Sequence, residues 1–305
     1  MERSVHLSEK GMRLERFLRI HFPRLPAAAV LLKQGRLTVD GRRARALDPL
    51  APGQIVRIAD AAPRAVIGGG AGSGPTSPSE ADRARLAVMT LFEDADLLVL
   101  DKPSGLPVHA GSRTGDDLDR LLAKFVDAEG ARPVLVHRLD KDTSGLLVAA
   151  RTPREAARLG KAFASRAVEK TYVALVEGVP EPSAGTIRRA LKKIDTPRGG
   201  RMVAVPDDEP GALPAETAWR LLDVRDDGRA ALVALAPHTG RQHQLRAHMS
   251  ELGHPILGDR LYGQAGSAPR LMLHALRLVL PRAVGAPLIL ETPWPSDFGP
   301  RPSDL

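Results

Sequence analysis

The chain has 305 residues, 43% of them hydrophobic, and 44 Lys and Arg against 36 Asp and Glu give it a net charge of +8. That length and apolar content predict a folded protein with room for more than one domain, and the absence of cysteine excludes disulfides, thiol nucleophiles, iron–sulfur clusters and cysteine-ligated zinc. The positive charge points to a polyanionic partner, while an aromatic content of 3% argues against a protein that binds single strands mainly by stacking bases on rings.

The opening MERSVHLSEK is charged from its second residue and leads into no apolar h-region. No apolar run approaches the ~18 residues of a spanning helix. A cytoplasmic location with no membrane partner is expected. Residues 1–60 hold twelve Lys and Arg against six Asp and Glu. Of the 44 basic residues, 35 are Arg, which suits bidentate contact with phosphate and is equally what a GC-rich genome would encode.

Residues 12–60 read as a small module. Leu14, Phe17 and Leu18 share one helical stripe, and Arg13, Arg16 and Arg19 share another. A second helix over PAAAVLLKQG ends at Gly35. Short strands then flank an Asp40-Gly41 turn, and a Pro52-Gly53 turn precedes the strand QIVRI. Residues 61–85, rich in Gly, Pro, Ser and Ala, read as a flexible linker. Its GGGAGSG run is not read as a phosphate loop, because no strand feeds it and no apolar-periodic helix follows directly.

Residues 86–300 form the expected larger domain. Strands are predicted at 88–92, 97–101, 133–137, 145–150, 168–177 and 229–236. A helix should start at Thr152, with Pro153 in its first turn and Glu155 closing a capping box, and run to about Ser165. Strands come in groups rather than alternating with helices, so the expected class is α+β with a mixed, largely antiparallel sheet. A further helix is expected from near Gly240 to Gly253, ahead of Pro255, with Leu245, Met249 and Leu252 on one stripe and Arg246 on its flank.

The most particular stretch is HRLDKDTSGLLVAA at 137–150. Its apolar ends read as strands, so Asp140 and Asp142 fall on a turn that Thr143, Ser144 and Gly145 suit. An isolated Arg-Leu-Asp would be read as a solvated turn, but fourteen residues of this pattern are too long for that. Pairing Asp140 with Asp142 as a glycosidase acid and base finds no support, since nothing fixes their separation. His238, His243 and His248 do not read as a metal site, because a step of five residues turns about 140° on a helix and the three share no face. Metal ligation and cofactors are not expected.

The 137–150 motif resembles the active-site motif of the RluA-type pseudouridine synthases. Three further segments are similar to that family: LVLDKPSGLPVHAG at 98–111, KTYVALVEG at 170–178, and HTGRQHQLRAHMSELGHPILGDRLYG at 238–263. The N-terminal pieces RLERFLRIHF, LLKQGRLTVDG and LAPGQIVRI resemble an S4 RNA-binding domain. Its second helix carries AAAV where a polar and basic pair is usual, so RNA contact would fall to Arg36, Arg42, Arg43 and Arg45. The resemblance implies the same α+β architecture and the isomerisation of uridine to pseudouridine in RNA. It makes Asp140 the catalytic carboxylate and Arg246 its ion-pair partner, favouring the ionised acid. Tyr172 becomes the residue that stacks on the base. Arg138 would fill the gap left by a flipped nucleotide or hold the flipped backbone, Leu273 would support the uracil, and Arg241 would contact RNA. An S4-like domain before such a core is most similar to the synthases of large-subunit ribosomal RNA, so that RNA or its assembly precursor is the expected substrate of a monomer. A transfer RNA substrate, or a catalytically silent RNA-binding assembly factor, is the alternative.

Overall fold

The computed structural model describes residues 2–6, 10–21, 37–44, 48–58, 77–109, 116–127, 130–195, 200–282, 285–303 and 305. The chain divides into two compact units, Met1–Gly72 and Ser73–Leu305.

In the first unit, β1 (Glu2–Ser4), α1 (Leu14–His21), β2 (Leu37–Val39), β3 (Arg42–Arg43) and β4 (Ile55–Ile58) form one helix and an antiparallel sheet of order β1-β4-β2-β3. Leu14, Phe17 and Leu18 of α1 are buried against Leu37, Val56 and Ile58. Asp40 and Gly41 take positive φ of 49° and 75°, the combination that joins two strands by a two-residue turn. Arg13 and Arg16 are exposed. The helix expected over 26–35 lies outside the described residues.

The second unit runs α2 (Glu80–Met89), β5 (Thr90–Glu93), β6 (Leu97–Lys102), α3 (Leu118–Leu122), β7 (Val134–Leu135), β8 (Ser144–Ala150), α4 (Pro153–Ala164) and β9 (Glu169–Glu177). It continues with β10 (Ala184–Arg188), β11 (Ala190–Ile194), β12 (Arg201–Val205), β13 (Glu216–Arg225), β14 (Ala230–Pro237), α5 (Gln244–Glu251), β15 (Leu273–Leu280) and β16 (Leu288–Glu291). Among the described residues, ten strands make one sheet along the path β10-β13-β14-β9-β15-β8-β6-β5, with β16 beside β15 and β7 beside β8. Only the β8–β15 contact in it is parallel. β11 and β12 pair separately. The class is therefore α+β with a mixed, largely antiparallel sheet. Among the described residues, no helix is long and apolar enough to cross a membrane.

The local departures have local causes. The last residues of the expected linker belong to α2, because Ser79 and Asp82 exchange capping bonds (Ser79 N–H to Asp82 Oδ2, 3.0 Å; Asp82 N–H to Ser79 Oγ, 3.1 Å) and start a helix inside a Ser/Pro-rich stretch. The strand expected at 88–92 accordingly begins at Thr90. The strand expected at 133–137 shrinks to Val134–Leu135: the His137 imidazole Nε2 accepts the Val148 amide at 2.9 Å, and a side chain takes the place of a ladder carbonyl. Thr152 caps α4 as expected, accepting the Glu155 amide, but the Glu155 side chain pairs with Arg158 rather than closing a capping box.

Two apolar clusters both draw on β15, the first together with β8 and the second with β9 and β14, and Tyr172 packs against both. The seam depends on Gly145. It has φ +107° and faces Ala275, and a Cβ there would fall on the Ala275 backbone. This close approach fixes the turn that leads into β8.

Candidate active site

Asp140 opens a turn closed by the Thr143 amide donating to the Asp140 carbonyl at 3.2 Å. Thr143 and Ser144 are buried, while Lys141 and Asp142 are exposed. The turn at 103–106 anchors it. The Gly105 amide donates to the Lys141 carbonyl (3.0 Å) and the Ser104 hydroxyl to the Asp142 carbonyl (2.6 Å). Lys102, wholly buried, donates to the carbonyls of Pro103 (3.0 Å), Leu106 (2.9 Å) and Lys141 (2.9 Å). Burial pushes its ammonium down to about 8, against the opposing pull of Asp142 and Asp140. Lys102, Ser104 and Gly105 thus anchor the Asp140 turn.

Arg246 approaches Asp140 from α5. Although off the Leu245, Met249 and Leu252 stripe, it is buried at 5% exposure, because all of Gln244 to Met249 lies inside the fold and each polar side chain there has partners. Its Nε and Nη2 donate to Asp259 Oδ2 and Oδ1 at 2.7 and 2.8 Å, which leaves Nη1 3.6 Å from Asp140 Oδ2. Burial works against the guanidinium charge, but Asp259 and then Asp140 hold its pKa above the ordinary value. Asp259 Oδ1 also accepts the Leu261 and Tyr262 amides at 2.9 and 3.1 Å. Asp259 follows Gly258, whose φ of +75° brings the backbone so close to the Arg270 carbonyl that a Cβ could not fit.

α5 also starts later than expected, at Gln244 rather than near Gly240. The Gln244 side chain accepts from the Arg241 amide (3.0 Å) and the Thr239 hydroxyl (2.6 Å) and donates to the Glu216 carbonyl (2.9 Å), so a side chain satisfies the turn in place of helix backbone. His243, left-handed at φ 51°, brings Nε2 to 3.9 Å from Asp140 Oδ2. His248 instead meets the Thr217 hydroxyl (2.9 Å) and the Arg189 carbonyl (3.0 Å). Among the described residues, no three His, Asp or Glu are grouped to hold a metal ion.

Two cavities flank this carboxylate, of about 550 and 440 Å³, and Arg138, Asp140, His243 and Arg246 line both. Tyr172 and Leu273, from neighbouring strands β9 and β15, form part of the larger cavity's wall. Arg138, Arg166, Lys170, Arg241 and Arg246 face it, with Asp140 as its one carboxylate among the described residues. Burial, and after it the Asp140 charge, raise the Tyr172 phenol above its ordinary value, so it stays protonated. His137, stacked on Phe163 at 4.6 Å, is pushed down to about 3 by burial, with Lys170 adding to the fall, and is neutral. An enclosed carboxylate with a fixed cation at its side, an aromatic and an aliphatic wall, and a cationic mouth can hold a flat polar ring joined to a phosphate backbone.

Of the residues expected from sequence, Asp140, Tyr172, Arg246, Arg138, Arg241 and Leu273 meet around this cavity. Arg138 is exposed; Arg241 is partly engaged, its Nε donating to the Pro214 carbonyl at 3.0 Å. Arg42 is exposed on β3, in the other unit. Arg43 belongs to the same strand, but its side chain lies outside the described residues, as do Arg36 and Arg45 altogether. Asp259, His243, Tyr262 and Lys102 were not singled out as surroundings of the Asp140 turn and Arg246, although all four stand inside the segments DKPSGLP and HTGRQHQLR…GDRLYG. Only the pairing of those segments in space reveals them.

Residues 96–251, half of the chain and including Asp140, Tyr172 and Arg246, match the family model described as RNA pseudouridylate synthase. An uncharacterized RNA pseudouridine synthase of Zymomonas mobilis is 41% identical over 70% of this chain and 96% of its own length. The ribosomal large subunit pseudouridine synthase C of Rickettsia bellii is 33% identical over 94% of this chain and 95% of its own. The solved structure of human RNA pseudouridylate synthase domain containing 4 superimposes with a TM-score of 0.59 at 31% identity, covering 72% of this chain and 92% of that one. With the matched region running through both the Asp140 turn and the helix that carries Arg246, the chain belongs to the RNA pseudouridylate synthase family.

Proposed function

We propose that this synthase isomerises specific uridines of large-subunit ribosomal RNA, with Asp140 as its catalytic carboxylate. The placement of Asp140 carries the reading: among the described residues it is the one carboxylate on the wall of a cavity lined by five cationic side chains, with Arg246 Nη1 3.6 Å away. In the reaction the N1–C1′ bond of uridine breaks and a C5–C1′ bond forms. C5 gives up its hydrogen as a proton and N1 takes one up, so product and substrate are isomers and no redox or phosphoryl step is involved. Asp140 acts as nucleophile or base at the sugar or the base. Arg246, itself held by Asp259, stands beside it as its ion-pair partner.

A uridine stacked in RNA cannot reach the cavity, so the target is flipped out of its helix or loop, at roughly a few kcal/mol. Tyr172 stacks on the uracil with its phenol protonated, and Leu273 supports the ring. Arg138, exposed beside both cavities, fills the space the base has left or holds the flipped backbone. Arg241 contacts the RNA at the cavity mouth. The basic N-terminal unit, read as S4-like, contributes phosphate contacts through Arg36, Arg42, Arg43 and Arg45. The relatives named for the large ribosomal subunit favour ribosomal RNA, or its assembly precursor, over transfer RNA, and with it a cytoplasmic site of work. The protein is proposed to act as a monomer.

Two measurements test this reading. Asp140→Asn should still bind large-subunit RNA and lose turnover. Mapping pseudouridines after incubation with large-subunit and transfer RNA should find new sites in the former only; modification confined to transfer RNA would overturn the substrate assignment while leaving the carboxylate's role standing.

A further inference from the structure

Beside Asp140 stands a second donor, His243, and the contacts around it determine where its proton sits. Its Nδ1 lies 3.2 Å from the Tyr262 hydroxyl, and that oxygen already accepts the Met202 amide of β12 at 2.8 Å. If the hydroxyl also accepted from His243, its own proton would have no acceptor among the described residues, and the Nε2 lone pair would face the carboxylate. With Tyr262 donating to Nδ1, both problems disappear. The imidazole then carries its proton on Nε2, the atom 3.9 Å from Asp140 Oδ2.

The charged and titratable groups facing the ring are Asp140, Arg246, Asp259 and Arg138, with the Tyr262 ring edge-on at 5.8 Å. Burial lowers the imidazole's pKa; Asp140 and Asp259 oppose the fall, and Arg246 and Arg138 add to it, so the ring is neutral at physiological pH. Arg246 has two of its three guanidinium nitrogens committed to Asp259. Both Nη1 of Arg246 and Nε2 of His243 approach the same oxygen of Asp140 from beyond hydrogen-bond reach, a spacing that tightens when substrate fills a site.

We propose that His243 is a positioning residue for the reaction: a neutral imidazole whose proton Tyr262 fixes on Nε2, it holds Oδ2 of Asp140 jointly with Arg246 and leaves Oδ1 to the uridine. A neutral donor orients the carboxylate without adding a second full positive charge, which would lower its reactivity. Met202 links this arrangement to the β11–β12 hairpin. The inference rests on Asp140 being the reacting carboxylate.

Single-turnover and steady-state rates on large-subunit RNA, measured across pH for wild type, His243→Asn, His243→Gln, Tyr262→Phe and Asp140→Asn, test it. Asn tolerates the left-handed backbone but its amide ends short of Asp140, so His243→Asn should lower kcat by about 100-fold with KM little changed. Gln can place its amide nitrogen where Nε2 stands and should recover most of that loss. Tyr262→Phe removes a donor that protonation of the imidazole would have to displace, so the acid limb of the kcat profile should move to higher pH. Equal kcat for the Asn and Gln variants, both full or both impaired, would overturn the proposal, as would an unmoved acid limb in Tyr262→Phe. Turnover by Asp140→Asn would instead overturn the reading beneath it.

Discussion

Tyr172 meets the site through its ring and its proton together. Burial and the Asp140 charge keep the phenol protonated, so it offers a flat wall and a proton but no phenolate. Base-on-ring stacking contributes about 1–3 kcal/mol. Tyr172→Ala should therefore lower kcat/KM by roughly 10- to 100-fold, and Tyr172→Phe, which keeps the wall, should lose much less. Steady-state kinetics on the two variants would decide, and equal full activity in both would remove the stacking role. Asp140, Tyr172 and Arg246 were legible in the sequence because each stands in a long, particular motif. Asp259 was not: its contact with Arg246 spans a turn whose course depends on Gly258 passing against the Arg270 carbonyl, and no periodicity announces that. Nor did helical spacing reveal that Arg246 is buried, because the apolar stripe of α5 says nothing of polar side chains satisfied on the other faces.

The seam between β8 and β15 is where the elements place the chemistry. Two imidazoles stand near it, both neutral: His137, accepting the Val148 amide, and His274, between the Ser144 hydroxyl (2.9 Å) and the Thr292 hydroxyl (2.7 Å). Burial pushes them down to about 3 and about 4, with Lys170 adding to the first and Arg270 to the second, from an ordinary 6.5. Between those values the unfolded chain binds protons that the folded chain refuses, so this contribution is present above pH 6.5 and is lost as pH falls. At pH 5 the loss is about 2 kcal/mol for each group. Urea unfolding at pH 7 and pH 5 would show it as a lowered midpoint, and equal stability at the two values would contradict the neutral assignments. The apolar strands β6, β8, β9 and β14 were legible from composition. The half-exposed, charge-bearing β10 to β13 were not, since IRRALKKI and RLLDVR read equally as loop or helix surface, and β10 finds its partner β13 only beyond the β11–β12 hairpin.

On the scale of the whole chain, two units, each with its own core, carry unequal charge, and the first sixty residues have twice as many basic as acidic side chains. Each phosphate contact adds about 0.7–0.9 to the slope of log K against log salt. Removing residues 1–60 should weaken RNA binding and flatten that slope by about two to four, as filter-binding titrations over a range of salt would reveal; an unchanged slope would mean that the second unit alone provides the electrostatic grip. Hydrogen release is the signature of the isomerisation. Forming the C5–C1′ bond must expel the hydrogen on C5, so ribosomal RNA labelled with tritium at uridine C5 should release tritium with the wild-type protein and not with Asp140→Asn, although both bind it. Release at the wild-type rate by Asp140→Asn would contradict the assignment of the catalytic carboxylate.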